Sequence, residues 1–200
     1  MRGGASGGKD TGGSAKPRKP RADSVRNRER LLGAARAVFS AGGPEASLEA
    51  VARTAGVGIG TLYRHFPTRE ALFQAVYSRE VDELVDLAET LSRSAEPLPA
   101  LRTWLRSSVR MFATKKGMVA ALAPVLDDPA FYEVNGARVL AALEGLITRA
   151  AAAGMLRDDV TAEDVLRMMI GVCYAREQPG WQDTAVRLLD IFVDGLAVRG

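Results

Sequence analysis

With 200 residues, 47% of them hydrophobic and only 6% aromatic, the chain is long enough for a real core, and its Ala, Leu and Val favour helix packing over a β-sandwich. Its net charge of +3 is unevenly spread: residues 1–77 hold 13 Lys/Arg against 6 Asp/Glu, a balance of +7, and residues 78–200 hold 14 against 18, a balance of −4. A single cysteine, Cys173, leaves nothing for an internal disulfide or a cysteine metal cluster. No apolar run approaches the roughly 18 residues of a membrane span. The polar N-terminus lacks the apolar core of a signal peptide, so a cytoplasmic protein is the simple reading.

Residues 1–22 are Gly, Ser, Ala, Lys, Arg and Pro without apolar periodicity, which predicts a disordered basic tail. The cluster Lys16, Arg18, Lys19 and Arg21 suits either a minor-groove or phosphate-tracking arm or a plain solvated tail. Residues 1–21 alone account for +5 of the head's charge, so the folded head is only mildly basic. A basic end on an acidic body is what a DNA-facing surface shows, because phosphate contacts dominate affinity. Asp23 or Ser24 is the expected cap of a first helix running to about Ala41, with Leu31, Leu32, Ala35, Val38 and Phe39 as its buried stripe and Gly42-Gly43-Pro44 ending it. Arg26, Arg28 and Arg30 lie on that helix as phosphate-facing or solvated charges.

The next stretch, Ser47 to Arg69, reads as helix, tight turn, helix. Ser47 is a good N-cap, Glu49 suits the positive first turn, and Leu48, Val51, Ala52 and Ala55 fall at helical spacing. Gly56 supplies a residue able to take positive φ at the turn, and Val57 packs beneath it. The second helix sets Leu62 and Phe66 inward and leaves Thr61, Tyr63, Arg64 and His65 outward, with Phe66-Pro67 closing it. That is a helix-turn-helix, whose second helix fits a DNA major groove.

The residues from about Ser24 to Tyr77 resemble the DNA-binding domain of the TetR family of bacterial transcriptional repressors. The likeness is carried by Ala34-Ala35…Phe39, by the Ala55–Val57 turn, by Gly60-Thr61-Leu62-Tyr63-Arg64-His65-Phe66-Pro67 and by Thr68-Arg69-Glu70-Ala71-Leu72, about a quarter of the chain. The helical end, Val165 to Leu196, is similar to some actinobacterial members. The resemblance implies an all-α protein: an N-terminal three-helix DNA-binding domain (23–77) and a C-terminal helical ligand-binding and dimerisation domain (78–200). It also implies that Tyr63 and His65 touch phosphate. From the chemistry of the side chains, Thr61 can bond phosphate or base edges, Arg64 offers the bidentate fork suited to guanine, and Ile59 suits a thymine methyl. Gly58 and Gly60 let the backbone approach the groove, and Ser47 and Arg69 suit phosphate clamps. Gly58 stands where many family members carry a capping serine, which removes one phosphate donor.

Thr68 opens a long helix to about Leu91 through Leu72, Val76, Leu84, Leu87 and Leu91, a stiff rod shared by head and body. After a breaker-rich Ser92–Pro99, a helix is predicted from about Leu98 to Thr114, broken by Lys115-Lys116-Gly117 and followed by a shorter one carrying Met118, Val119, Leu122 and Val125. Pro124 and Asp127-Asp128-Pro129 punctuate again, before a helix from Phe131 to Ala153 that Gly154 ends. Thr161 with Asp164 approximates a capping box for a helix to Tyr174, and a last helix spans about Gln182 to Val198. Both are apolar nearly all round and must be covered all round, either centrally in one core or across a symmetric seam. The seam is preferred: Val165, Met169, Val172, Val186, Leu189, Phe192, Val193 and Leu196 are its candidates, giving a four-helix homodimer interface.

The resemblance further implies a ligand-receiving core. Trp104, Met111, Phe112, Met118, Leu122, Phe131 and Met169 suit an adaptable apolar wall, with Asn135 or Arg138 as polar anchors, although each apolar residue suits ordinary core equally well. No enzyme chemistry competes. Gly58-Ile59-Gly60 lacks the further glycine of a dinucleotide loop and the Lys-Ser/Thr of a P-loop, and His65 has no second imidazole to form a metal site. Asp127-Asp128 and Asp158-Asp159 sit beside turn signals and suit loops or caps, and Cys173 suits a small hydrophobe. The reading is a cofactor-free, homodimeric DNA-binding regulator that represses at a pseudo-palindromic double-stranded operator and is released by a small-molecule effector. A helical ligand-binding protein without DNA binding and a helical enzyme are the other classes weighed.

Overall fold

The computed structural model describes residues 19–42, 45–93, 96–123, 128–175 and 179–198. The basic tail up to residue 18, Gly43-Pro44, Pro124, Val125 and Asp127 lie outside the described residues. Among the described residues eight helices make the fold: α1 (Lys19–Ala41), α2 (Leu48–Thr54), α3 (Ile59–His65), α4 (Arg69–Ser92), α5 (Pro97–Leu122), α6 (Pro129–Ala152), α7 (Ala162–Tyr174) and α8 (Trp181–Leu196). Among the described residues the only β pairing is a lone antiparallel bridge between Leu156 and Ala197, and no helix is long and apolar enough to cross a membrane.

Helix starts follow local chemistry closely. Thr68 Oγ1 accepts from Ala71 N at 3.1 Å, Asp128 Oδ1 from Phe131 N at 3.0 Å, and Thr161 with Asp164 forms the reciprocal box at 3.2 and 3.1 Å. The first helix departs from expectation. It begins at Lys19 rather than at Asp23 or Ser24, since Pro20 in its first turn needs no N–H partner and presets the helical φ. Asp23 instead pairs with Arg26 one turn on, at 3.1 Å.

The larger correction concerns Lys115-Lys116-Gly117, which does not break α5. Gly117 sits where α5 crosses α1, and a Cβ there would lie 1.8 Å from the Phe39 carbonyl oxygen. Glycine costs a helix interior about 1 kcal/mol, and here it is what allows two backbones to touch. The head and the body therefore share one continuous core, from Leu31, Phe39, Val51 and Leu62 to Leu101, Leu143, Val165 and Leu189.

Helix α4, about 36 Å long at 1.5 Å per residue, runs through both parts. It buries Phe73, Tyr77, Glu80 and Val81 besides the expected Leu72, Val76 and Leu84, whereas Leu87 and Leu91 are only half-buried. The Glu80 carboxylate is held near Arg36 (3.6 Å), and burial pushes its pKa up against the pull of that guanidinium. Around it, Arg36 bonds Glu83, and Arg79 reaches Glu83 at 3.2 Å and Glu29 at 2.5 Å, lacing α1 to α4. Arg102 and Arg106 lace α5 to α8: Arg106 takes both Asp190 oxygens at 2.9 and 2.7 Å, and Arg102 reaches Asp194 at 2.5 Å.

The last two helices are not covered all round within the protomer. Their inner stripes, Val165, Met169 and Cys173 on α7 and Leu189, Val193 and Leu196 on α8, are buried in the chain's own core. Of the expected seam residues, Val165, Met169, Leu189, Val193 and Leu196 are thus spent inside one protomer, and Val172, Val186 and Phe192 are half-buried. The apolar face left open carries Ile170, Tyr174, Leu188 and Ile191. The expected cavity wall changes likewise. Trp104, Met111, Phe112, Met118, Leu122 and Met169 are close-packed core, with Trp104 Nε1 donating to the Leu84 carbonyl at 2.8 Å. Asn135 is buried and donates to the Phe131 carbonyl of its own helix at 2.8 Å, and Arg138 pairs with Asp82 at 2.6 Å. Only Phe131 and Arg138 border open grooves, of about 580 and 390 Å³.

Candidate nucleic-acid interface

Among the described residues, none packs over the outer face of α3. Helix α2 starts at Ser47, whose Oγ accepts from Ala50 N at 3.1 Å, and it buries Leu48, Ala50, Val51 and Ala52. The turn reverses at Gly56, whose φ of +64 is reached by glycine without the steric cost that other residues bear. Val57 N closes the turn on the Ala52 carbonyl at 3.0 Å. Helix α3 then buries Leu62 and sets Phe66 beneath its end, with the Arg28 guanidinium 5.2 Å over the Phe66 ring. Neither Arg28 nor Phe66 faces the outer surface alone: the pair clamps α1 to the end of α3.

What α3 shows outward is a short row of mixed chemistry. Tyr63 is 45% exposed and Ile59 38%, Arg64 is exposed, and Thr61 and His65 are half-buried. Arg64 Nε folds back to the Gly60 carbonyl at 3.2 Å, which leaves its two terminal nitrogens, the prongs that a guanine edge takes. A Cβ at Gly58 or Gly60 would meet no protein atom within 4 Å, so the protein's own packing does not demand glycine there, and the approach to α3 stays low. Gly58 caps α3 with backbone only, in line with the missing serine donor.

Arg69 is placed differently from the expected phosphate clamp. Its Nη1 donates at 3.2 Å to the carbonyl of Leu122, the last residue of α5, just before the left-handed Ala123 (φ 40). A cation on the carbonyl end of a helix is favourable for the same dipole reason that anions favour the other end. The first residue after the recognition hairpin is therefore tied to the body, and Gln74 adds a contact to Asp128 at 3.4 Å. Sequence spacing gave no sign of either tie, since the partners stand 53 and 54 residues away. Among the described residues no group of His, Cys, Asp and Glu is arranged to hold a metal.

Comparison with known proteins fits this geometry. Residues 31–76 match the model of bacterial regulatory proteins of the tetR family, and residues 96–198 match the SbtR-like transcriptional regulator C-terminal domain. The crystal structure of a TetR transcriptional regulator from Streptomyces coelicolor is 40% identical, with a TM-score of 0.74 over 86% of this chain and 99% of that one. The chain belongs to the TetR family of transcriptional regulators. A second TetR-family structure, from Mycobacterium vanbaalenii, is 37% identical, with a TM-score of 0.68 over 89% of this chain and 99% of that one. Curated relatives of this TetR-family chain include the regulator UidR of Escherichia coli (strain K12), 39% identical over 75 residues, 37% of this chain and 35% of UidR. The repressor KstR of Mycolicibacterium smegmatis is 43% identical over 58 residues, 28% of each chain. These matches span about a third or less of the curated relatives' length.

Proposed function

We propose that this regulator binds a pseudo-palindromic double-stranded DNA operator as a homodimer, represses transcription there, and is released by a small-molecule effector. The observation that carries the reading is the outward face of α3, where Ile59, Tyr63 and the free end of Arg64 stand exposed above a fully packed Leu62–Phe66 base. Tyr63, His65, Thr61 and Ser47 position the head on phosphates, and Arg64 and Ile59 read base edges. Residues 23–77 form the DNA-binding head and 78–200 the effector-binding and dimerising body, with α4 common to both. Ile170, Leu188 and Ile191, joined by the half-buried Val172, Val186 and Phe192, form the dimer seam. Two copies of α3 then stand about one DNA turn apart, roughly 34–36 Å. An effector releases DNA by preferring the spacing that the operator does not accept.

The test is direct. Genomic fragments selected by the purified protein are titrated by fluorescence anisotropy at two salt concentrations. Tight, salt-sensitive binding is expected, and Tyr63→Ala with Arg64→Ala weakens it by at least tenfold while thermal stability stays put. If the intact protein ignores every fragment at low salt, the reading is wrong.

A further inference from the structure

Two of the chain's four tyrosines gather in the body around one lysine that has no carboxylate partner among the described residues. Lys115 Nζ on α5 lies 5.4 Å from the ring centre of Tyr77 on α4 and 4.9 Å from that of Tyr132 on α6. The Tyr77 and Tyr132 rings meet edge-on at 6.0 Å, and Phe131 closes a third side at 5.7 and 5.6 Å from them. Burial, with Tyr132 and Tyr174 adding to it, pushes the Tyr77 hydroxyl up to about 12; the Tyr174 ring itself lies under the neighbouring lysine, 5.5 Å from Lys116 Nζ. Burial pulls the Lys115 ammonium below the usual lysine value, with no carboxylate restoring it among the described residues.

The lack of a partner here is specific. Arg102, Arg106 and Arg138 in the same body are each matched to carboxylates, and the neighbouring Lys116 ammonium donates to the Cys173 carbonyl at 3.3 Å. Among the described residues no hydrogen bond or ion pair holds Lys115 Nζ or the hydroxyls of Tyr77 and Tyr132, and none of the three atoms is sealed from solvent. An ammonium and two phenols, all able to donate, thus gather with the Phe131 ring in one cluster. The complement of such a set is a negative charge on a flat body, because charge-assisted bonds are strongest where water is partly excluded. The cluster is reachable: Lys115 and Tyr132 are half-buried. It also touches α4, which begins three residues after the recognition helix ends.

We propose that Lys115, Tyr77 and Tyr132 form the anion-reading part of the effector site, and that the effector is a small carboxylate with an aromatic or otherwise flat apolar body. The proposal rests on the regulator reading above for its biological meaning, and its binding chemistry is tested apart from DNA. The full-length protein is titrated calorimetrically at pH 7 with 1-naphthoate, 1-naphthamide and 1-naphthylmethylammonium. The carboxylate is expected to bind at least tenfold more tightly than the amide, and the ammonium most weakly. Lys115→Met brings carboxylate and amide within twofold of each other, Lys115→Arg keeps the preference, and Tyr132→Phe weakens the carboxylate by about threefold. Circular dichroism confirms that each variant is folded. No binding of any probe, equal binding of all three, preference for the ammonium, or an unchanged preference in Lys115→Met each overturns the proposal. Anisotropy on operator DNA without probe is run on the same samples. Failure there sinks the regulator reading and leaves the naphthoate preference to stand or fall alone.

Discussion

The hairpins α2–α3 and α7–α8 obey the same local rules and end with opposite partners. Each starts on a side-chain cap, Ser47 in one and the Thr161–Asp164 box in the other, and each buries one apolar stripe against the rest of the chain. They differ on the face turned away. The head shows Thr61, Tyr63 and Arg64, groups that bond phosphate and base edges, and the body shows Ile170, Leu188 and Ile191, which water solvates poorly. The inward faces make both hairpins parts of a fold. In the proposed reading the outward faces set the partner, a nucleic acid for the first hairpin and a second copy of the chain for the other.

That contrast can be broken most strongly at α8, where Leu189 and Ile191, two residues apart, face opposite ways. Leu189→Ala empties a fully packed site and is expected to cost about 2–5 kcal/mol in urea unfolding. Ile191→Glu, at a residue 61% exposed in the protomer, should leave the unfolding midpoint of the protomer nearly unchanged and turn dimers into monomers in analytical ultracentrifugation. An Ile191→Glu protein that sediments as a dimer would assign the seam elsewhere.

The two caps sharpen the comparison at smaller scale. Ser47→Ala removes the acceptor for Ala50 N and should destabilise by about 1 kcal/mol, lowering Tm by roughly 2–4 °C for a chain of this size. Thr161→Ala should cost a similar amount. Only the first should also weaken DNA binding, because the proposed operator contacts lie on that hairpin.

The smallest effect expected is electrostatic and belongs to the body alone. The Arg106 fork, followed by Arg102, holds the Asp190 carboxyl below the usual carboxylate range. A depressed pKa contributes stability that is present above the unfolded value of about 3.9 and is lost as pH falls through the folded value. The stability gap between the wild type and Asp190→Asn, measured by urea unfolding, should therefore hold at pH 7 and close progressively below about pH 4. A gap that widens on acidification would contradict the pairing.

Much of the head was legible because its determinants are local. Ser47, Gly56, Thr68 and the Leu62–Phe66 spacing each act within one turn of chain, and each holds its expected place. Legibility failed where a distant partner overrides a local signal. Gly117 looked like a helix stop because the Phe39 backbone it accommodates lies on another helix. The tie from Arg69 Nη1 to the Leu122 carbonyl was hidden because that carbonyl belongs to another helix. Cys173 did fill its expected place: buried, with burial pushing its thiol up to about 11, it is a packed apolar residue.

Periodicity, capping and turn chemistry in the sequence were enough to determine the all-helical class, the recognition hairpin and the outward chemistry of α3, since each depends on residues within a few positions of one another. Only the tertiary structure decided which stripe of α7 and α8 is buried and which is left open, why α5 runs unbroken, and how Lys115 comes to stand over the rings of Tyr77 and Tyr132. Those outcomes depend on which helix packs against which, and an apolar stripe carries no record of the surface that will cover it.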